Sequence, residues 1–357
     1  MTYLDHAATT PVRPEATEAM LPWLTGGRFG NPSGGHAAAR AARQAVEEAR
    51  DAVAEVLGCQ PREVVFTGGG TESDNLALHG FERPVGSAVE HHAVLHRLAT
   101  TVDVLPDGRV DPDALRAVDA DVVSVMLVNN EVGAVNDLQT VREAIGDGVV
   151  LHTDAVQAVP WLDVASAAAP ADLVSVSAHK VGGPQGVGAL VVREGTPIRP
   201  LLHGGGQERE RRSGTHNVAG IVGMAAAFTA CAAQRSSTVE RVRALRDRLV
   251  DGLVATVPGC TESGDRSTKV AGTASVLFEG IESEALLVLL DRAGLCATAA
   301  SSCASGALEP SHVLAAMGVP RSLAAGSLRL SLGWTSTDDD VDHALSVIPG
   351  CVSQLRR

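Results

Sequence analysis

The chain has 357 residues, 45% of them hydrophobic and 20% charged, with a formal net charge of −13. At about 100 to 200 residues per domain, that length calls for two domains, and the composition is that of an ordinary globular protein rather than a disordered one. The acidic balance argues against nucleic acid and anionic lipid as direct partners, because both attract clustered Lys and Arg.

The opening Met1-Thr2-Tyr3-Leu4-Asp5-His6 carries an early acid and no signal-like apolar core. No apolar run is read as reaching the roughly 18 residues of a membrane span, so the cytoplasm is the expected location. Cys59, Cys231, Cys260, Cys296, Cys303 and Cys351 form no Cys-x-x-Cys pair, so no metal centre is expected.

Apolar residues three or four apart from Ser33 to Leu57 predict an amphipathic helix. Next, Val64-Val65-Phe66, Thr67-Gly68-Gly69-Gly70 and Thr71 to Leu76 read as strand, glycine turn and helix. Short β-branched runs at Val122–Val128, Val149–Thr153, Leu173–Val176 and Val187–Val192 alternate with helical stretches. This is the pattern of a mostly parallel α/β sheet covered by helices on both faces. One helical segment through Ala233 and another from Val239 to Val254 flank a boundary placed near Arg235. Further strands are expected near Ala274–Phe278 and Ser327–Leu332.

Gly68-Gly69-Gly70-Thr71 opens a helix, where free N–H groups and the helix dipole favour an anion such as phosphate. A plain tight turn explains the same glycines. In Ser177-Ala178-His179-Lys180-Val181-Gly182-Gly183-Pro184 a lysine follows a buried-looking strand. It reads either as a solvated surface lysine or as an amine for a carbonyl cofactor. Asp154, at the end of His152-Thr153-Asp154, sits where ligands bind in open α/β sheets. It is a candidate partner for a pyridinium nitrogen, or alternatively a helix cap.

The chain resembles the cysteine desulfurases of the class V aminotransferase group over nearly its whole length. The resemblance rests on an ordered set of motifs: Tyr3 to Pro11, Gly30-Asn31-Pro32-Ser33, Phe66 to Ser73, Glu90 to Val94, Val128 to Gly133 and Asp154 to Gln157. It continues through Ser177 to Lys180, Gly204 to Glu208, Arg212 to Thr215, Ser302 to Gly306 and Ser327 to Gly333. It implies the fold of the aspartate aminotransferase-like, type I pyridoxal-phosphate enzymes. That fold has a seven-stranded, mostly parallel sheet in a large domain (14–235) and a small α/β domain (1–13 and 236–357) bearing the catalytic loop.

The same resemblance implies pyridoxal 5'-phosphate on Lys180, with Asp154 at the ring nitrogen, Asn130 and Gln157 flanking the ring and its phenolic oxygen, and His91 stacked on the ring. Gly70, Thr71, Ser177 and His179 would hold the phosphate, joined by Thr215 from the partner of a homodimer. Arg329 would clamp the carboxylate of L-cysteine, helped by Asn31. Lys180 would move the α-proton, His91 would accept the thiol proton, and Cys303 would take the sulfur as a persulfide while alanine leaves. Outside the resemblance, Cys303 among small residues reads more readily as a buried hydrophobe than as a reacting thiol.

Leu308 to His312 resembles the longer loop of the NifS/IscS-type subgroup. That subgroup implies delivery to an iron–sulfur scaffold or a thiolation protein, with transient cluster contact at Cys303. His6, Gly70 and Ala300 depart from the commoner asparagine, alanine and glycine, and the chain ends at Arg357, sooner than the longer relatives. The alternative is an aminotransferase or carbon–sulfur lyase of the same fold that makes no use of Cys303. A scaffold without activity is the remaining option.

Overall fold

The computed structural model describes residues 1–299 and 311–357. Twelve strands are defined among them: β1 (Thr2–Tyr3), β2 (Val64–Thr67), β3 (Pro84–Ser87), β4 (Thr100–Val102), β5 (Val122–Ser124), β6 (Val150–Asp154), β7 (Leu173–Ser177), β8 (Gly188–Val192), β9 (Cys260–Glu262), β10 (Thr273–Phe278), β11 (Leu295–Cys296) and β12 (Ser327–Ser331). Seven of them form one sheet in the order β2-β8-β7-β6-β5-β3-β4. All neighbours run parallel except β8, which is antiparallel to both β2 and β7. β6 and β7 bury nearly every residue, which is why their sequences run apolar without the alternation of a half-exposed strand.

Because β2, β5, β6 and β7 point the same way, their carboxyl ends meet along one edge, the place where open α/β sheets bind ligands. Gly188 in β8 keeps that edge open to the loop after β2. A Cβ there would lie 2.6 Å from Val176 O and 2.8 Å from the Gly69 backbone. Gly69 itself has φ 141°, a conformation that side chains disfavour, and it turns the chain straight into the helix Gly70–Ala77.

Helix Ala37–Leu57 starts later than its apolar periodicity suggested. Gly34 and Gly35 precede His36, whose Nδ1 caps the helix by accepting from Ala39 N. β5 ends earlier than expected, at Ser124, yet Val125 N and Leu127 N still donate to His152 O and Asp154 O. The larger difference is the helix Val218–Thr256, which runs unbroken for 39 residues through the expected gap near Arg235. The polar stretch Gln234 to Thr238 disturbs the apolar pattern, but it contains neither Gly nor Pro, so nothing stops the helix. The first half of this helix packs in the core under the seven-stranded sheet through Ile221, Met224, Phe228 and Cys231. The second half contributes Val242, Leu249 and Leu253 to another core, with Leu4, β10, β12 and helix Asp338–Leu355.

The same helix contains an 18-residue window of mean hydropathy 1.3, long and apolar enough to cross a bilayer by composition alone, which the sequence reading passed over. Half of that window is buried inside the protein, with Ile221, Met224 and Phe228 packed in the core. The three-stranded antiparallel sheet β12-β10-β9 belongs to the second core, and β1 pairs in parallel with β11. Residues at the extreme N-terminus are thereby fastened to the C-terminal third of the chain.

A buried ion pair ties the loop 204–216 to the sheet. Arg50 Nη1 and Nη2 each donate at 2.8 Å to Glu208, which also accepts from Phe66 N and pairs with His216 Nε2 at 2.7 Å. Burial alone would raise the Glu208 carboxyl, but the bonds from Arg50 and His216 outweigh it and pull it down to about 2. These contacts hold Glu208, Arg209 and Glu210 at positive φ, a backbone that side chains disfavour.

Removing one partner of such a pair leaves a buried charge, so Glu208→Gln is expected to destabilise the fold by about 3–5 kcal/mol in denaturant unfolding. Since the folded carboxyl lies below its ordinary value of 4.5, its stabilisation is complete above that value and is lost as pH falls toward about 2. The acid limb of the stability curve is accordingly shallower in the variant, and an unchanged limb contradicts the assignment.

Candidate active site

A cavity of about 460 Å³ opens at the carboxyl edge of the sheet. Its wall brings together Gly70, Thr71, His91, Asn130, Asp154, Gln157, Ser177, His179, Lys180 and Arg329. Thr215 and Asn31 are not in it. Both are exposed, and the Asn31 carboxamide Oδ1 is occupied by Ser33 N at 3.0 Å. Cys303 lies outside the described residues, yet the chain on one side of that segment, Thr298 and Ala299, belongs to the cavity wall. On the other side Ser311 Oγ donates to Glu131 Oε2, next to the wall residue Asn130.

The local sequence explains the first corner of the site. Thr67 Oγ1 bonds Ser73 Oγ at 2.7 Å, and Glu72 accepts from Gly68 N at 2.8 Å, closing the turn that presents the start of helix Gly70–Ala77. That helix has no side-chain cap on its first turn, so its amides suit an anion. Arg212 grips Glu72 through two bonds of 2.7 and 3.1 Å, tying the loop that carries Thr215 to the same corner.

Asp154 ends β6 with its carboxyl buried, accepting from Val156 N at 2.8 Å. Burial pushes it up to about 6, while the Val156 amide and the nearby Lys180 charge pull the other way. Lys180 follows β7, and its Nζ donates to Ala7 O and, at 2.8 Å, to Ala8 O. Gln157 Nε2 donates to the same Ala7 O at 2.8 Å. The N-terminal strand segment thus forms one side of the cavity through its backbone carbonyls.

His91 caps the helix His92–Leu95, its Nδ1 accepting from Ala93 N at 3.1 Å. Burial, with Lys180 and His92 nearby, lowers His91 to about 4, so the ring is neutral near pH 7. With Nδ1 as acceptor, the ring proton sits on Nε2. His179, on the far side, is lowered to about 4 by burial and the Lys180 charge, and its Nδ1 lies 3.2 Å from Thr9 Oγ1. Arg329 donates to Asn130 O and Asp5 Oδ1, each at 2.9 Å, while its buried Nε has no partner among the described residues.

Several wall residues carry no role in the sequence reading: Asp5, Ala7, Ala8, Asp74, Met126 and Val156. Asp5, Ala7 and Ala8 lie in the Tyr3 to Pro11 motif, which was a usable signal. Asp74 reads in sequence as one more acid in the first turns of a helix, and only the fold places it under the cavity.

The donor set fits pyridoxal phosphate. An uncapped helix start faces Ser177 and His179 for a phosphate, a lysine amine stands at the end of β7, and a buried carboxyl stands at the end of β6. The Arg329 guanidinium in the same wall has the shape and charge that suit a carboxylate.

The comparisons with known proteins agree with this geometry. The model of the aminotransferase class-V family matches residues 2–344. An IscS-like cysteine desulfurase of Mycobacterium tuberculosis is 45% identical over 100% of this chain and 98% of its own length. Cysteine desulfurase IscS of Methanosarcina thermophila is 42% identical over 99% of this chain and 92% of its own length. Among solved structures, a NifS-like protein superposes with a TM-score of 0.92 at 35% identity, covering 99% of this chain and 100% of that one. DndA from Streptomyces lividans superposes at 0.76 with 34% identity, over 92% of this chain and 99% of that one. The chain belongs to the class-V aminotransferases, a pyridoxal-phosphate-dependent family.

Proposed function

We propose that Cys303 receives the sulfur that this cysteine desulfurase takes from L-cysteine, leaving L-alanine. Relatives named cysteine desulfurase span the chain end to end. The observation that carries the reading is the path of the chain, which enters the segment bearing Cys303 from Ala299, in the wall of the cavity that holds Lys180, Asp154 and Arg329.

When bound, pyridoxal phosphate supplies an electron-withdrawing ring that acidifies the α-carbon of an amino acid. Lys180 Nζ is the base that moves the α-proton, held at its resting place by the Ala7 and Ala8 carbonyls. Asp154 would pair with the ring nitrogen, with Asn130 and Gln157 beside the ring, and Gly70, Thr71, Ser177 and His179 would hold the phosphate. Arg329 takes the substrate carboxylate with its guanidinium, which Asn130 O and Asp5 hold in the cavity wall. The Cys303 thiolate attacks the substrate sulfur: a sulfur–sulfur bond forms, the carbon–sulfur bond breaks, and its electron pair stays on the carbon that becomes alanine's methyl group.

His91, the expected acceptor of the thiol proton, is neutral near pH 7 because burial lowers it to about 4. Its Nδ1 accepts from Ala93 N, so Nε2 is the ring nitrogen through which a proton would be exchanged with the substrate thiol. Thr215, exposed and outside its own chain's cavity, acts in a homodimer at the neighbouring subunit's site, and Asn31 helps Arg329 with the substrate carboxylate. The persulfide passes to a protein of iron–sulfur cluster assembly or thiolation. Residues 14–235 form the cofactor-binding domain, and 1–13 with 236–357 the small one. The five described cysteines are free thiols, as in a reducing cytoplasm.

Cys303→Ser is expected to lower multiple-turnover alanine production from cysteine on the order of 10²-fold or more, as loss of a nucleophile does. Unchanged turnover transfers the assignment to a lyase or aminotransferase without a relay cysteine. Arg329→Gln should raise KM for cysteine on the order of tenfold, because a charge-assisted bond is lost, and an unchanged KM contradicts the carboxylate grip. Asp154 gains its proton as pH falls through about 6, so binding of pyridoxal phosphate to the stripped protein should weaken below that pH, and equal affinity at pH 5 and 7 contradicts its role.

A further inference from the structure

Beneath the cavity lies a second carboxyl that the mechanism does not use. Asp74, on helix Gly70–Ala77, is 1% exposed and Asp154 is 6% exposed, and both line the same wall. Among the described residues Asp74 Oδ1 has no hydrogen-bond partner. His152 Nε2 lies 3.7 Å from it, but this fully buried ring bonds Ser124 Oγ at 2.8 Å and Ser175 Oγ at 3.0 Å, and burial lowers it to about 3. His152 is therefore neutral and supplies no charge.

Two carboxyls in so dry a place cannot both ionise without a cation between them. Asp154 has the better claim to the charge, because Lys180 and the Val156 amide favour its anion. Asp74 has neither; a bond from the Ser175 hydroxyl favours its anion, but burial first and the Asp154 charge second outweigh it and raise the carboxyl well above the ordinary value. Glu90, the other acid acting on Asp74, is itself pushed up to about 8 by burial and tied to Ser87 Oγ at 2.5 Å and Met126 N at 2.8 Å. The floor of the site is thus a group of acids able to carry one negative charge at the place where it is used.

We propose that Asp74 is a positioning residue, a carboxylic acid kept neutral beside Asp154 so that the pair presents a single, fixed negative charge to the cofactor's ring nitrogen. A neutral acid shares its proton with the adjacent anion, which orients Asp154 and adds a charge-assisted bond. An ionised Asp74 would repel that anion instead. The proposal rests on Asp154 facing the ring nitrogen and adds the state of its neighbour.

Asparagine copies a neutral carboxyl in shape and donor capacity, whereas leucine copies only the volume. The test compares wild type, Asp74→Asn, Asp74→Leu and Asp154→Asn, each confirmed as folded by its thermal melt. The infrared C=O stretch of protonated carboxyls in the stripped protein is recorded near pH 7, and affinity for pyridoxal phosphate is measured by its visible absorbance.

The expected result is a protonated-carboxyl band missing from Asp74→Asn, cofactor affinity within a fewfold of wild type in that variant, and a loss of about tenfold in Asp74→Leu, the equivalent of one hydrogen bond to a charged group. An unchanged infrared spectrum, or an Asp74→Asn that falls as far as Asp74→Leu, overturns the proposal. Asp154→Asn separates the two assignments: undiminished affinity there removes the role of Asp154 itself, whereas a loss there with Asp74→Leu unaffected removes only that of Asp74.

Discussion

The structure depends on one constraint: a carboxyl and an amine must be held a short distance apart at a dry sheet edge. Asp154 and Lys180 meet it because β6 and β7 are adjacent and parallel, with Asp154 in register with Ser175, five residues before the lysine. Parallel strands need long crossovers, and the helices that provide them cover both faces of the sheet. Covering the sheet dries its end, and the dry environment is what raises Asp154 and lowers His91 and His179.

The rest of the chain closes the open side of that edge. The N-terminal segment reaches across from its pairing with β11 to place the Ala7 and Ala8 carbonyls on Lys180 and Asp5 on Arg329. Arg329 itself comes from β12, in the second core. The cavity is therefore built at a meeting of two packed units, with the 39-residue helix Val218–Thr256 as the beam between them. Cavities at such junctions can grip a substrate from one side and a cofactor from the other.

Much of this was legible in the sequence, for identifiable reasons. Asp154 and Lys180 each end a short β-branched run, so the strand pattern alone puts them at the sheet edge, and the glycine turn before Thr71 marks the helix start. Asp74 was not legible, because an acid near a helix N-terminus is ordinary and its burial depends on which face the sheet covers. The carbonyls of Ala7 and Ala8 were invisible because backbone groups carry no sequence signature. The unbroken helix was missed because polar residues at 234–238 imitate a loop while lacking the Gly or Pro that would make one. Thr215 and Asn31 were read from resemblance, and a single chain leaves both exposed.

The central claim is that sulfur leaves L-cysteine for Cys303. Incubating the purified protein with sulfur-labelled cysteine, alkylating it without reductant and mapping the peptides reads this directly. The account predicts label on Cys303 together with alanine, and removal of the label by a thiol reductant. Alanine formed with no label on Cys303, or label gathered at another cysteine, contradicts it.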